Sequence, residues 1–368
     1  MGRVLTIFML SFAVLIQTEI SRGQEILTDS MELDTLSVKK PVKTLFTNDS
    51  MIHITLKVED MKTMIRDNGE DPGWHNGILS YRDASGKMIE LDVKLQPRGH
   101  YRKDPANCQF PPIRLNFKKN SVDSTLFEGQ DKLKLVTHCN NRAEYFEQYV
   151  LKEYLAYRIY NILTERSLRV RLARITYTDQ KGRFSDISRY GFFIEDTRDM
   201  AERNGFTHIK VNNIPQEYTD FFYQDLVAVF QYMIGNTDWS VPARHNIKLL
   251  MERPGLKPVP VPYDFDWTGL VNPVYAKPSK KLGIQSVEER LFRGYEKNIE
   301  DYYRIFDLFH QHKDEIYALI EECPLDDRHR KSTESYIQEF YAILSDERRM
   351  KREFIEKART PNADYWGK

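Results

Sequence analysis

The sequence predicts an α+β protein of two lobes, strands gathered in the first and helices in the second. Two observations carry that prediction. Between residues 51 and 194, short runs alternate apolar and polar residues with turn residues between them, the pattern of half-buried strands. After Leu270 the strand signals stop and the remaining segments have helical spacing. Strands and helices segregated along a chain argue α+β rather than an alternating α/β order. A cleft between two such lobes is a natural ligand site.

The chain opens on a targeting pattern. Arg3 precedes an apolar run from Val4 to Ile16, and Ser21 and Gly23 offer the small residues of a cleavage site before Gln24. A membrane-spanning helix takes about 20 apolar residues, more than this run supplies. Residues 1–23 therefore read as a cleaved signal peptide rather than an uncleaved anchor. The protein is expected to be secreted or periplasmic, with no stable membrane insertion after cleavage. Residues 24–48 are polar and read as a leader or linker.

The β-rich lobe is expected over 49–196. MIHITLKV (51–58) alternates as a strand, and Asp60 can cap a short helix through Arg66. Strands over 77–82 and 88–96 flank the turn DASGK. PPIRLNFK and DKLKLVTH follow as strands, with the polar loop RGHYRKDPANCQF before them. One long helix is expected over 142–163, where Tyr145, Tyr149, Leu155, Ile159 and Leu163 fall at near-helical spacing. VRLARITYTD and SRYGFFIED are two more strands, turned at DQKGR.

A mainly helical lobe is expected over 197–360, with a tail at 361–368. A polar helix over 197–204 and a buried helix over 223–234 lead into a polar loop. HNIKLLM reads as a strand. PVPVPY follows, and its three prolines cannot donate to a ladder, which makes it an edge or a partly paired strand. Helices are expected over 287–291, 302–323 and 330–358, and no internal repeat is visible.

Composition narrows the function. Lys and Arg number 54, as do Asp and Glu, so no net field steers the chain to nucleic acid or to an acidic membrane. Three cysteines cannot all pair within one chain. Cys108 and Cys139 lie on segments that can be neighbours, and an exported protein permits a bridge, which leaves Cys323 over. No CxxC or His/Cys cluster with zinc spacing occurs.

The chemistry-bearing stretch is GNTDWSVPARHNIKLLMERPGLKPVPVPYDFDW. Asp238 begins a loop after a buried helix, Asn246 comes eight residues later, and Asp264 ends the proline-rich strand. Phosphoryl transfer requires an Asp to orient the acceptor hydroxyl, and an Asn and a second Asp to hold Mg²⁺ on the nucleotide phosphates. Mg²⁺ favours hard oxygen donors and needs only one or two carboxylates. By residue type alone the same three residues can equally be turn-formers.

Together these motifs resemble the spore coat protein H (CotH) kinase family, secreted atypical kinases. They are Arg98-Gly99-His100-Tyr101-Arg102, Asp238 with His245-Asn246, and Pro262-Tyr263-Asp264-Phe265-Asp266-Trp267. Gly191-Phe192-Phe193-Ile194-Glu195 resembles the hinge-like segment, which places Glu195 near the nucleotide. The resemblance runs over roughly residues 50 to 350 at low identity. It implies a two-lobed protein-kinase-like fold, ATP and Mg²⁺ as cofactors, and transfer of phosphate to Ser or Thr of an acceptor protein. Asp238 would be the catalytic Asp, Asp264 and Asn246 metal ligands, and Asp266 a support of the metal or its loop.

Two departures stand out. The loop between Asp238 and His245-Asn246 is longer than the family's, and the basic pair before its second strand is missing. The phosphate-gripping cation is therefore one of Lys134, Arg98 and Arg114. Lys134 sits on the strand before the long helix, where a kinase carries its phosphate-binding Lys, and Glu144, Glu147 or Glu153 could pair with it. The alternative is a catalytically inactive, pseudokinase-like binding module of the cell envelope. A hydrolase built on Asp264 and Asp266 fits less well, since residues two apart sit too close to flank a scissile bond.

Overall fold

The computed structural model describes residues 43–118, 120–141 and 145–360. The expected signal peptide, most of the expected leader, the start of the long helix with Glu144, and the tail at 361–368 lie outside them.

Seven strands close into a barrel in the order β1-β2-β3-β4-β5-β7-β6. They are β1 (Ile52–Val58), β2 (His75–Arg82), β3 (Met88–Pro97), β4 (Ile113–Phe117), β5 (Lys132–Val136), β6 (Val170–Asp179) and β7 (Ile187–Ile194). β1, β2 and β4 alternate as their sequences do, and Ile54, Leu56 and Val58 of β1 pack with Leu91, Val93, Leu95, Leu115, Phe127 and Phe193 in one interior core. β6 and β7 are buried on both faces over part of their length. Gly191 has no room for a side chain, because a Cβ there would meet Ile175 Cδ1 and the Val136 carbonyl at 2.8 Å. Asp60 caps α1 (Met61–Arg66), accepting a hydrogen bond from the Thr63 amide.

The closed barrel overturns the two-lobed, kinase-like α+β fold expected from the sequence. An open sheet of hairpins would have left β1 an edge. Instead β1 pairs antiparallel with β2 and parallel with β6, Ile52 opposite Ala173 through Val58 opposite Asp179. That pairing satisfies both edges of β1 at once.

The long helix α2 (Tyr145–Leu163) is buried on nearly all sides. One core joins it to the outer faces of β5, β6 and β7, through Val136, Leu172, Phe192 and Ile194, and to the helices that follow. These are α3 (Thr197–Arg203), α4 (Phe221–Met233), α5 (Glu300–Gln311), α6 (Lys313–Glu322), α7 (Asp327–Leu344) and α8 (Glu347–Lys351). Among the described residues no helix is long and apolar enough to cross a membrane.

A second, three-stranded sheet has the order β10-β9-β8, with β8 at Thr207–Ile209, β9 at Ile247–Met251 and β10 at Val259–Pro262. The proline-bearing β10 is an edge. Three helix expectations change. Residues 287–291 form turns, where the Glu289 carboxylate accepts from the Gln285 and Ser286 amides. The segment 302–323 breaks at His312 into α5 and α6. The last helix breaks at Asp346, whose carboxylate caps α8.

Cys108 and Cys139 form a disulfide, and Cys323 is free and buried, its thiol pushed up to about 12 by burial.

Candidate functional site

One cleft of about 310 Å³ brings together Arg98, Arg102, Lys134, Glu153, Asp238, Asn246, Asp264 and Asp266. Its two walls are built differently.

The first wall comes from the barrel. Lys134 is fixed by the ladder, opposite Arg114 on β4 and Ile194 on β7. Arg98 begins the loop that leaves β3, and its amide donates to the Pro112 carbonyl at 2.8 Å. Gly99, at φ +95°, supplies the left-handed turn that follows. The disulfide then ties this loop to the residues just after β5, and the Phe110 amide donates to the Cys139 carbonyl at 2.9 Å. Arg98 Nε is buried without a hydrogen-bond partner.

The second wall comes from loops of the helical region. Gly235 ends α4 at φ +65°, and a Cβ there would meet the Tyr336 hydroxyl at 2.0 Å, so only glycine fits. Its carbonyl accepts from the Gly269 amide at 3.1 Å, which ties the loop of Asp238 to that of Asp264. Asn236 Oδ1 accepts from the Asp238 amide at 2.9 Å. Both Asp238 oxygens are held: His245 Nε2 lies 2.8 Å from Oδ1, and Asn246 Nδ2 donates to Oδ2 at 3.2 Å. The Asp238 side chain is still 42% exposed, so a ligand can reach it. Its carboxylate pushes the His245 imidazole above the usual histidine range.

Asn246 and Asp264 both hold left-handed backbone, at φ +53° and +65°, a region that Asn and Asp tolerate better than most residues. Phe265 between the two aspartates is buried, with ring centroids 4.6 Å from Tyr157 and 5.4 Å from Phe230. The Tyr157 hydroxyl accepts from the Asp264 amide at 2.9 Å. Phe265 thus anchors the turn and leaves Asp264 and Asp266 on the cleft.

The walls meet at Arg102. Its Nη1 donates to Glu153 Oε2 at 3.4 Å and lies 3.8 Å from Asp266 Oδ2, while Nη2 donates to the Thr137 carbonyl. Burial, and then the Asp264 charge, push Asp266 up to about 7 against the pull of Arg102. Burial and Asp266 hold Glu153 well above the carboxylate range. Burial, with Arg98 and Lys248 nearby, brings Lys134 down to about 8.

Two expected residues are elsewhere. The Glu195 carboxylate is buried against α3, accepting from Arg203 Nε at 2.9 Å and from the Arg169 amide at 3.0 Å. Arg114 reaches Gln96 Oε1 at 3.4 Å and does not line the cleft. Nor, among the described residues, does a glutamate pair with Lys134: Glu147 takes Arg174 and Arg189, and Glu153 takes Arg102; Glu144 lies outside the described residues. Arg102 and Tyr157 are additions to the expected set. Glu153 and Tyr157 lie one turn apart on the buried helix, and a carboxylate on such a face is the signal that marks them.

Among the described residues no three His, Cys, Asp or Glu side chains form a metal-holding group. The donors present suit a cation that takes few protein ligands and completes its shell with phosphate and water, as Mg²⁺ does. Asn246 gives its amide N–H to Asp238, and its oxygen remains as a hard donor. Asp266 is raised first by burial and then by the Asp264 charge, and a cation between the two carboxylates would oppose both.

No family model matches the chain, and no curated protein matches it. Among solved structures a weak neighbour is a crystal structure of the Golgi casein kinase, 10% identical, with a TM-score of 0.28 over 85% of this chain and 78% of that one. An overlap at that level carries no argument about this chain.

Proposed function

We propose that this protein binds ATP with Mg²⁺ in the cleft and transfers the terminal phosphoryl group to a Ser or Thr hydroxyl of an acceptor protein. One observation carries the reading: Asp238, Asn246, Asp264 and Asp266 converge on a cleft whose facing wall presents Arg98 and Lys134. Cations to grip phosphate, hard oxygen donors for a metal and a hydrogen-bonded carboxylate for an acceptor hydroxyl are the parts that phosphoryl transfer requires.

In this reading Arg98 and Lys134 bind phosphate oxygens, Arg98 through a guanidinium whose Nε has no other partner. Asn246, Asp264 and Asp266 supply the metal's protein ligands. Bound Mg²⁺ would neutralise charge on the phosphates. Asp238, held by His245 and Asn246, accepts the proton of the acceptor hydroxyl. Tyr101 and Trp267, edge to face at 5.2 Å, line the cleft with aromatic surface.

A second reading, a partner-binding module without catalysis, draws on Arg102. Its guanidinium 3.8 Å from Asp266 sets a fixed positive charge against a carboxylate that a metal would use. Calorimetry separates the two. ATP is titrated with and without Mg²⁺ into the wild type and into Asp264→Asn, a change that removes charge but suits the left-handed backbone. Metal-dependent binding lost in the variant supports phosphotransfer. No binding at millimolar ATP defeats it and favours the module.

A further inference from the structure

Asp238 and Trp267 have a second side. Beyond the cleft they line another cavity, of about 210 Å³, with Lys277, Leu282, Val287 and Arg293. Among the described residues Asp238 is the single carboxylate on its wall. Arg293 is buried beneath it, its Nη1 donating to the Thr237 carbonyl. Lys277 lines the cavity, and Lys280 and Lys281 follow in the same segment, KPSKK, between the lining residues Ser279 and Leu282. All three lysines are exposed, and none makes an ion pair among the described residues. Ser279 caps the short turn Lys280–Leu282 that carries two of them.

We infer that this cavity is the docking site for an acidic polypeptide segment, and that it selects acceptors whose Ser or Thr is flanked by Asp or Glu. The inference deepens the phosphotransfer reading and rests on it for the acceptor hydroxyl's role. The two cavities share Asp238, so a chain entering from the lysine side places a hydroxyl at that carboxylate while the phosphate-binding cations stay on the opposite face. The charge distribution gives the sign. An acidic flank meets three exposed lysines with no competing ion pair, whereas a basic flank meets like charge. Leu282, Val287 and Trp267 give the segment apolar surface between those charges.

The test is fluorescence anisotropy with three labelled Ser peptides, flanked by Glu and Asp, by Gly, or by Lys. They are titrated with the wild type and with the variant Lys277→Glu/Lys280→Glu/Lys281→Glu. The acidic peptide should bind about tenfold more tightly than the neutral one, and the preference should weaken with salt. Charge reversal should abolish it while Mg²⁺-ATP affinity and thermal midpoint stay unchanged, since all three lysines are exposed and off the nucleotide cleft. Equal binding of the three peptides, or a preference that survives charge reversal, overturns the inference. A wild type that prefers the acidic peptide yet binds no Mg²⁺-ATP upholds the docking site and defeats the phosphotransfer reading alone.

Discussion

The two walls of the cleft reach their positions by opposite means. Lys134 stands in a barrel ladder, where register against Arg114 and Ile194 sets its place and the backbone is ordinary strand. Asn246 and Asp264 stand in loops with left-handed backbone, and so does Arg244 nearby. Such conformations cost of order 1–3 kcal/mol each for residues outside the Asn and Asp preference, and they persist where the surroundings over-determine them. Here the surroundings are Phe265 in its aromatic socket and the Tyr157 hydroxyl on the Asp264 amide. Lys134 is placed by sheet register and Arg98 by the loop that starts where β3 ends, whereas the oxygen donors ride on left-handed turns anchored from beneath. A change in the core beneath should therefore disturb the carboxylate wall far more than the cationic one.

Phe265→Ala tests that contrast with the largest expected effect. It should cost about 4 kcal/mol of folding stability in denaturant titrations, as emptied aromatic sites do, and should abolish metal-dependent nucleotide binding. Folded variant protein that still binds Mg²⁺-ATP normally would show that the Asp264 turn needs no anchor. On the other wall, Cys108→Ser with Cys139→Ser opens a loop of sequence separation 31, which costs about 3.5 kcal/mol by loop entropy. Its effect on binding should be smaller than that of Phe265→Ala, because Lys134 keeps its ladder. Asp264→Asn should leave stability nearly unchanged and lower Mg²⁺-ATP affinity about a hundredfold, near 3 kcal/mol.

Lys134→Met carries a smaller effect and a pH signature. Lys134 sits at about 8, below the usual lysine value, because burial opposes its charge. Wild-type affinity for ATP should fall as pH rises from about 7 to about 9 and the ammonium is lost. The variant should bind about tenfold more weakly and show no fall in that window. The unfolded chain keeps the proton up to about 10.4, so folding stability should rise with pH between about 8 and about 10.4, and Lys134→Met should remove that rise. A variant with the wild-type profile would take Lys134 out of the phosphate site.

How much of this the sequence disclosed follows the same division. Local patterns carried the strands: alternation or short apolar runs bounded by turns mark β1 through β7, the prolines mark β10 as an edge, and Asp60 marks its cap. Closure is not local. Nothing in MIHITLKV says that it pairs parallel with a strand that begins at Val170, and one such pairing turns an open sheet into a barrel. β8 spans three residues, too few to show a period. In the site, residue type and spacing left Asp238, Asn246 and Asp264 open to a turn-forming role; the family resemblance is what singles them out together with Asp266, and all four line the cleft. The roles of Arg102 and Tyr157 are not legible in the sequence, because they depend on where a loop and a helix dock. Glu195 misleads for the same reason, its carboxylate being taken by Arg203 on α3.

The smallest expected effect sharpens the comparison most. Arg98 and Arg114 are equal rivals by residue type, and only one lines the cleft. Arg114 lies opposite Lys134, and directly paired residues share a sheet face. Its guanidinium nevertheless reaches Gln96, and on Lys134 it acts as a nearby like charge that lowers the ammonium's pKa. Arg114→Ala should change ATP affinity less than about twofold and move the pH midpoint of binding upward, because a repelling cation is gone. Arg98→Ala should weaken binding about tenfold, since a bidentate phosphate partner is lost, and should move the midpoint upward further, because Arg98 is the stronger repelling charge on Lys134. If the two substitutions weaken binding equally, the phosphates run along β4 rather than toward Asp264. The cationic wall would then extend beyond the cleft, and its selectivity would belong to the sheet face rather than to the path of the loop that carries Arg98.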